Sequence, residues 1–399
     1  MAAPVVAVVG GGQLARMMAP AATALGVHLR ALVEDAASSA AQVVPDAPVG
    51  AASDEAAVRA LVAGPGIATG RGDDGPADVL TFEHEQVPNA LLDTLAGEGH
   101  AVRPSAGALV HAQDKIVMRR RLAELGVPCP RWAELPDRAA LETFLAAVGG
   151  TAVVKTARGG YDGKGVRVVH LAQDVEDWFE ASQGAGGTGI PLLAEEKVPF
   201  TRELAVLVAR RPSGQVRAWP VVESIQENGV CAEVIAPAPG LDPALARAAT
   251  SLAVTIAEGL GVTGVLAVEL FEVAGAAGGG APTVVVNELA MRPHNCGHWT
   301  IEGSVTSQFE QHLRAVLDLP LGETGARARW AVMAHVLGSK LPELSQGLAA
   351  ITALDPGAKV QLYGKSVRPG RKLGHVTVLG DDLVAVRARA RAAAAVLAG

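Results

Sequence analysis

The strongest chemical signal in this 399-residue chain is a pair of glutamates in apolar surroundings. Residues 265–271 read VLAVELF and residues 283–290 read TVVVNELA, with a run of glycine and alanine between them. Such β-branched, apolar runs predict two antiparallel strands. Each carries one carboxylate, Glu269 or Glu288, where a carboxylate needs a partner. Side by side the two repel unless a cation lies between them. With the amide oxygen of Asn287 they form a hard oxygen set suited to magnesium, whose shell phosphate oxygens complete. An ion pair between Glu269 and Arg292, with no chemistry, fits the spacing equally well.

Just downstream, Arg292, His294, Asn295 and His298 place four hydrogen-bonding side chains within seven residues. Pro293 and Gly297 bar a regular helix there, so a loop holding a small polar ligand is expected. His294 and His298, four apart with Cys296 between, also raise zinc, which takes that spacing on a helix. The proline, the glycine and the lack of a glutamate beside His294 argue against it. A histidine bonded only to backbone is the plain alternative for one of the two.

Further groups await elements to position them. Lys155 lies in the middle of a strand expected over 151–157, and a buried ammonium there calls for an anion such as a phosphate. Residues 159–165 (GGYDGKG) join it to a strand over 166–170, and a glycine-rich hairpin carrying Lys164 suits a phosphate lid or a mobile tip. Glu195, Glu196, Lys197 and Val198 end a strand over 192–198, and Glu203 opens the next, over 204–209; such an edge suits an adenine and the hydroxyls of its ribose. Near the C-terminus, strands over 359–363 and 375–379 flank Lys365, Arg368, Arg371 and Lys372, four cations in eight residues. In an acidic chain they suggest a phosphate on the substrate, or else a solvated basic turn. A helix over 381–397 closes the chain.

The N-terminus reads as strand 5–9, a turn at Gly10, Gly11 and Gly12, a helix to about Gly26, and strand 27–33 ending at Glu34 and Asp35. Amides at such a helix start form an anion site. The letters fit the dinucleotide fingerprint G-x-G-x-x-A with an acid about 20 residues on, so a nicotinamide enzyme, a sugar-phosphate site and an empty turn are all open readings. Strand 78–82 presents Glu83, His84 and Glu85 at its carboxyl end, where open α/β sheets bind ligands; Glu83 suits a ribose or a helix cap. One amphipathic helix is expected over 107–125, with Lys115, Arg119, Arg120 and Arg121 mostly on a solvated face.

A chain of this length with 49% hydrophobic residues suits two or three globular domains. Its net charge of −7 argues against a nucleic-acid or membrane partner. With no signal peptide or membrane-spanning run expected, a cytoplasmic protein is anticipated. Three widely spaced cysteines, Cys129, Cys231 and Cys296, offer no disulfide framework.

Taken together, Lys155, residues 159–165, Glu195 to Val198, Glu203, Glu269 and Asn287 with Glu288 resemble the ATP-grasp ligases. Segments 159–165, 292–300 (RPHNCGHWT) and 367–375 (VRPGRKLGH) resemble the branch of that family that carboxylates aminoimidazole ribonucleotide in purine synthesis, and the likeness spans nearly the whole chain. The resemblance implies α/β and α+β architecture. A Rossmann-like parallel-sheet domain would span 1–110 and a central lid 111–198, followed by an ATP-grasp domain over 199–399 with a small basic β appendage from about 326. It also implies a homodimer that uses ATP, magnesium and bicarbonate, with carboxyphosphate as the intermediate.

By position, the resemblance assigns ATP contacts to Lys115, Lys155, Gly160, Tyr161, Asp162, Gly163, Lys164, Gly165, Glu195, Glu196, Lys197, Val198, Glu203, Gln226, Asn287 and Glu288. Magnesium falls to Glu269 and Glu288. The ribonucleotide falls to Gly12, Gln13, Leu14, Glu83, Tyr161, Asp162, Lys365, Arg371 and Lys372. Bicarbonate falls to Arg292, His294, Asn295 and His298, with Asp162 or a histidine as base. Lys115, Gln226, Ala15 and Cys296 stand where the family more often has arginine, histidine, glycine and serine; a lysine keeps the charge but loses the bidentate fork.

Overall fold

The computed structural model describes residues 3–64, 75–160, 165–183, 189–275 and 280–399. Tyr161, Asp162, Gly163 and Lys164, expected in the lid, lie outside the described residues. No described helix is long and apolar enough to cross a membrane.

Three sheets organise the described residues. The first holds β1 (Val5–Val9), β2 (His28–Leu32) and β3 (Val79–Phe82), parallel in the order β2-β1-β3. The central strand β1 is buried along its whole length, as a parallel strand covered on both faces should be. The helix Gln13–Leu25 leaves β1 through the glycine turn and stops at Gly26, whose left-handed φ of 66° closes the last turn.

The second sheet is antiparallel, with β4 (Trp132–Leu135), β5 (Ala152–Thr156), β6 (Val166–Val169) and β7 (Leu192–Glu196) in the order β4-β7-β5-β6. It has its own small core, in which Leu141, Phe144 and Leu145 of the helix Arg138–Ala147 cover Val154, Val169 and Ala194.

The third sheet has nine strands: β8 (Phe200–Arg210), β9 (Val216–Ala218), β10 (Val222–Glu227), β11 (Val230–Ala236), β12 (Gly264–Val273), β13 (Thr283–Ala290), β14 (Trp330–Leu337), β15 (Lys359–Leu362) and β16 (Lys372–Gly380). They run β13-β12-β8-β10-β11-β14-β16-β15, with β9 added to β8. The strands after residue 326 therefore continue this sheet through the pairing of β14 with β11. The edge groups of β11 are satisfied by that pairing.

One buried cluster runs from Val9 and Leu80 through Leu109 and Met118 to Val206, Leu266 and Val286, welding the first sheet's layer to the third. The expected single helix over 107–125 is two, Ala106–Gln113 and Lys115–Glu124. Asp114 leaves helical geometry (φ −129°, ψ 110°) and its carboxylate accepts from the amides of Ile116 and Val117, capping the second helix. Glu203 lies inside β8 rather than ahead of it.

Candidate active site

Strands β12 and β13 pair antiparallel and set Glu269 directly opposite Glu288. The register then slips: Leu270 faces Val286, leaving Asn287 as a bulge. In a regular strand Asn287 and Glu288 would point to opposite faces. The bulge turns both towards a cavity of about 1460 Å³ between the three sheets.

Charge around this pair is unbalanced. Burial first, then Glu288 and Glu203, push the carboxyl of Glu269 up to about 8. Burial alone lifts Glu203 to about 7. Arg292 is not the partner of Glu269; its Nε lies 2.9 Å from Glu85. The ion-pair alternative therefore fails. Lys115 Nζ stands 3.6 Å from Glu288 and 3.4 Å from the Gly159 carbonyl. Two facing carboxylates and an adjacent amide, short of positive charge, fit magnesium, which draws the rest of its shell from phosphate and water.

Beside them, His294 Nε2 lies 3.6 Å from Glu269, and its Nδ1 lies 3.1 Å from the Cys296 thiol. Burial, then Arg292 and Lys372, hold the imidazole well below its ordinary pKa, so it is neutral. Gln308 grips this residue by its backbone: the His294 amide donates to Oε1 at 2.8 Å, and Nε2 donates to the His294 carbonyl at 2.8 Å.

His298 is a correction. It is fully buried, with Nδ1 3.0 Å from Gln308 Nε2 and its ring stacked on His375 at 5.0 Å, and it does not line the cavity. The short turn Asn295–Gly297 and the following helix Thr300–Gly303 swing it behind the wall. The zinc spacing is lost with it, because the turn and the helix carry His298 away from the cavity that His294 lines.

Lys155 reaches the cavity, but with a protein partner. Its Nζ lies 2.7 Å from Glu195 and donates to Asn287 Oδ1 at 3.3 Å. Glu195, expected to meet the nucleotide, is 2% exposed and its carboxylate is taken by Lys155 and Arg119. Burial raises that carboxyl, but the two cations outweigh it and hold it below its ordinary value. Glu196 accepts from the Arg131 amide at 2.8 Å. Glu196, Lys197, Val198, Glu203, Gln226 and Gly160 all line the cavity, whereas Gly165 does not. Gly165 takes φ 71°, and a Cβ there would lie 2.6 Å from Thr156 Oγ1, so its place is conformational.

At the N-terminal end the anion site is filled by the protein itself. Glu83 accepts from the Gly12 amide at 2.7 Å and the Leu14 amide at 3.3 Å. A dinucleotide pyrophosphate would have to displace a carboxylate from this helix start, which removes the nicotinamide reading. Gln13 accepts from Lys365 Nζ and donates to Asn295 at 3.5 Å, linking the basic turn to the histidine loop. Leu14, Glu83, Arg292, Asn295, Lys365, Arg371 and Lys372 also line the large cavity, and Gly12 faces an adjoining cavity of about 650 Å³ that shares Glu83, Lys365 and Arg371.

Two residues escaped the sequence reading. Arg119, expected on a solvated face, is fully buried; its spacing from Ile116 and Leu122 on the apolar stripe was the available signal. Gln308 left no local sign, because its partner is 14 residues away.

Family models match three consecutive parts of the chain: the ribonucleotide synthetase preATP-grasp domain over 3–113, the ATP-grasp domain over 120–309 and the phosphoribosylaminoimidazole carboxylase C-terminal domain over 331–389. The N5-carboxyaminoimidazole ribonucleotide synthase of Mycobacterium tuberculosis is 52% identical over 395 residues, covering 98% of this chain and 87% of the relative. That of Corynebacterium ammoniagenes is 48% identical, covering 98% and 91%. The crystal structure of the Aspergillus clavatus N5-carboxyaminoimidazole synthase with ADP and 5-aminoimidazole ribonucleotide superposes with a TM-score of 0.84 at 30% identity, covering 99% of each chain. The Thermus thermophilus synthetase gives 0.81 at 36%, covering 96% of each.

Proposed function

The chain belongs to the N5-carboxyaminoimidazole ribonucleotide synthase family of ATP-grasp ligases, and from that premise we infer how its cleft divides the work. The reaction is the ATP-dependent carboxylation of 5-aminoimidazole ribonucleotide with bicarbonate, a C–N bond formation in purine biosynthesis that yields 5-(carboxyamino)imidazole ribonucleotide, ADP and phosphate. ATP and magnesium are its cofactors.

Bicarbonate lies against Arg292, His294 and Asn295. Its oxygen bonds to the γ-phosphorus of ATP, the bond to the β–γ bridging oxygen breaks, and ADP leaves carboxyphosphate behind. Alignment and charge neutralisation carry such a step. Lys155 and Lys115 supply fixed positive charge; magnesium, when bound by Glu269 and Glu288, supplies further neutralisation of phosphate. The exocyclic amine of the ribonucleotide then bonds to the carbon of carboxyphosphate, or of carbon dioxide released from it; the C–O bond to phosphate breaks and the amine gives up a proton. His294 is the acceptor inside the described cleft, with Asp162 of the lid segment as the other base. Lys365, Arg371 and Lys372 meet the ribonucleotide phosphate. In this division the units 1–110 and 199–399 hold ribonucleotide and bicarbonate, and 111–198 closes over ATP, excluding the water that would hydrolyse the intermediate.

One observation supports the assignment most: Glu269 and Glu288 face each other, with Lys115 3.6 Å from Glu288, in a cavity that Lys155, Lys365 and Arg371 also line. The test is ADP release from magnesium-ATP with bicarbonate, with and without aminoimidazole ribonucleotide, against glycinamide ribonucleotide plus formate. Turnover on the first pair alone, giving an acid-labile carboxylated product, is expected. Turnover on the second pair, or nucleotide binding without turnover, overturns the reading. A cytoplasmic homodimer is the assembly that the family resemblance implies, and sedimentation velocity checks the dimer.

A further inference from the structure

The helix Lys115–Glu124 buries a guanidinium on its apolar stripe, between Ile116 and Leu122, at a place where leucine would ordinarily sit. A buried charge persists only with full pairing, and Arg119 has it. Nε and Nη2 lie 2.8 and 2.7 Å from one oxygen of Glu195 on β7. Nη1 donates to the Val286 carbonyl at 2.8 Å and Nη2 to the Asn287 carbonyl at 2.7 Å, on β13 where the bulge interrupts the ladder. The second oxygen of Glu195 meets Lys155 Nζ at 2.7 Å, and that ammonium reaches Asn287 Oδ1. One planar fork thus joins its own helix, the second sheet and the bulge that turns Asn287 and Glu288 into the cleft.

We propose that Arg119 is a positioning residue: without touching ligand, it fixes the distance between Lys155 on the second sheet and the Asn287 and Glu288 bulge on the third, and so sets nucleotide and magnesium affinity. The proposal rests on the ATP and magnesium reading of the cleft. Lys155 and Glu288 come from different sheets, so neither sheet alone holds them in register. A guanidinium has donors in a rigid plane, so gripping a carboxylate and two carbonyls at once locks three elements. An ammonium in the same place keeps the charge and loses the plane.

The test compares wild type with Arg119→Lys, measuring KM for magnesium-ATP, KM for the ribonucleotide, kcat, the melting temperature and, by calorimetry, the Kd of magnesium-ADP. Arg119→Lys should fold, raise the KM for magnesium-ATP and the Kd of magnesium-ADP at least about tenfold, and leave the KM for the ribonucleotide within about twofold, since a displacement near 1 Å is that costly. Unchanged nucleotide affinity overturns the proposal, as does an equal loss in every parameter together with a collapsed melting temperature. Should Arg119→Lys not fold, Glu195→Gln tests the same link: it should weaken magnesium-ADP binding in the same direction, and wild-type affinity there overturns the proposal. A wild-type protein that binds magnesium-ADP but does not turn over the ribonucleotide would sink the carboxylase reading and leave the role of Arg119 to be judged by calorimetry.

Discussion

Glu195 and Glu269 are the same side chain, each on a strand among apolar neighbours, but Glu195 is 2% exposed whereas the Glu269 side chain, 21% exposed, opens on the cavity. Around Glu195 the protein supplies two cations, Arg119 and Lys155, and the carboxyl stays below its ordinary value. Around Glu269 it sets two more carboxylates, Glu288 and Glu203, and these add to burial in lifting the carboxyl to about 8. Lys372 and Arg292 act on Glu269 in the opposite sense but do not outweigh this. The first carboxylate is neutralised from within and ties two sheets together. The second has no such pair of cations, and in the function proposed above a cation from solution takes their place; that is the difference between scaffold and site.

Removing each carboxylate should separate the two roles. Glu195→Ala strands Arg119 and Lys155 as buried cations, and urea unfolding should show a loss of roughly 3–5 kcal/mol. Wild-type stability would mean that the junction is not what holds the sheets. Glu269→Gln removes a charge the fold does not compensate, so its unfolding free energy at pH 8 should equal or exceed that of wild type. Its kcat/KM for magnesium-ATP should nevertheless fall about 100-fold, some 2.7 kcal/mol of lost electrostatic stabilisation. A variant that kept its turnover would reduce Glu269 to a packing residue.

The basic turn carries the opposite charge. Lys365→Ala and Arg371→Ala should each raise the KM for the ribonucleotide about tenfold, one charge-assisted contact apiece, leaving the KM for ATP unchanged. An unmoved ribonucleotide KM would place its phosphate elsewhere.

The smallest effect is a slope. Glu269 titrates at about 8 in the folded protein, against about 4.3 when unfolded. Between those values the folded state holds the proton more tightly, so the Glu269 contribution to stability is present below the lower value and is lost as pH rises through the window. In metal-free buffer the melting temperature should drift down from pH 5 to pH 8. Magnesium with ADP should flatten the drift, because binding favours the carboxylate and releases a proton. A slope unaltered by magnesium-ADP would detach Glu269 from the metal.

What the sequence disclosed and what it hid follow the same contrast. The strand pair with facing glutamates, the opening strand, glycine turn and helix, and the basic turn between two strands were legible, because each depends on local periodicity and turn chemistry. Asp114 as a cap splitting one helix into two was hidden within a charged run. Arg119 was hidden further, since its partners lie 76 to 168 residues away and a guanidinium on a helix reads as solvated until they are seen. His294 and His298 look equivalent in sequence, and only the turn at Asn295–Gly297 sends one into the cleft and the other behind it. The bulge at Asn287 leaves no compositional mark at all, yet it brings two successive side chains to one side.

The most direct single test is the magnesium dependence of ADP release by wild type and Glu269→Gln at pH 8, with saturating bicarbonate and aminoimidazole ribonucleotide. If the uncompensated carboxylate pair holds the metal, the variant should need at least about tenfold more magnesium for half-maximal turnover. Coincident magnesium curves would contradict it and return Glu269 to the scaffold beside Glu195.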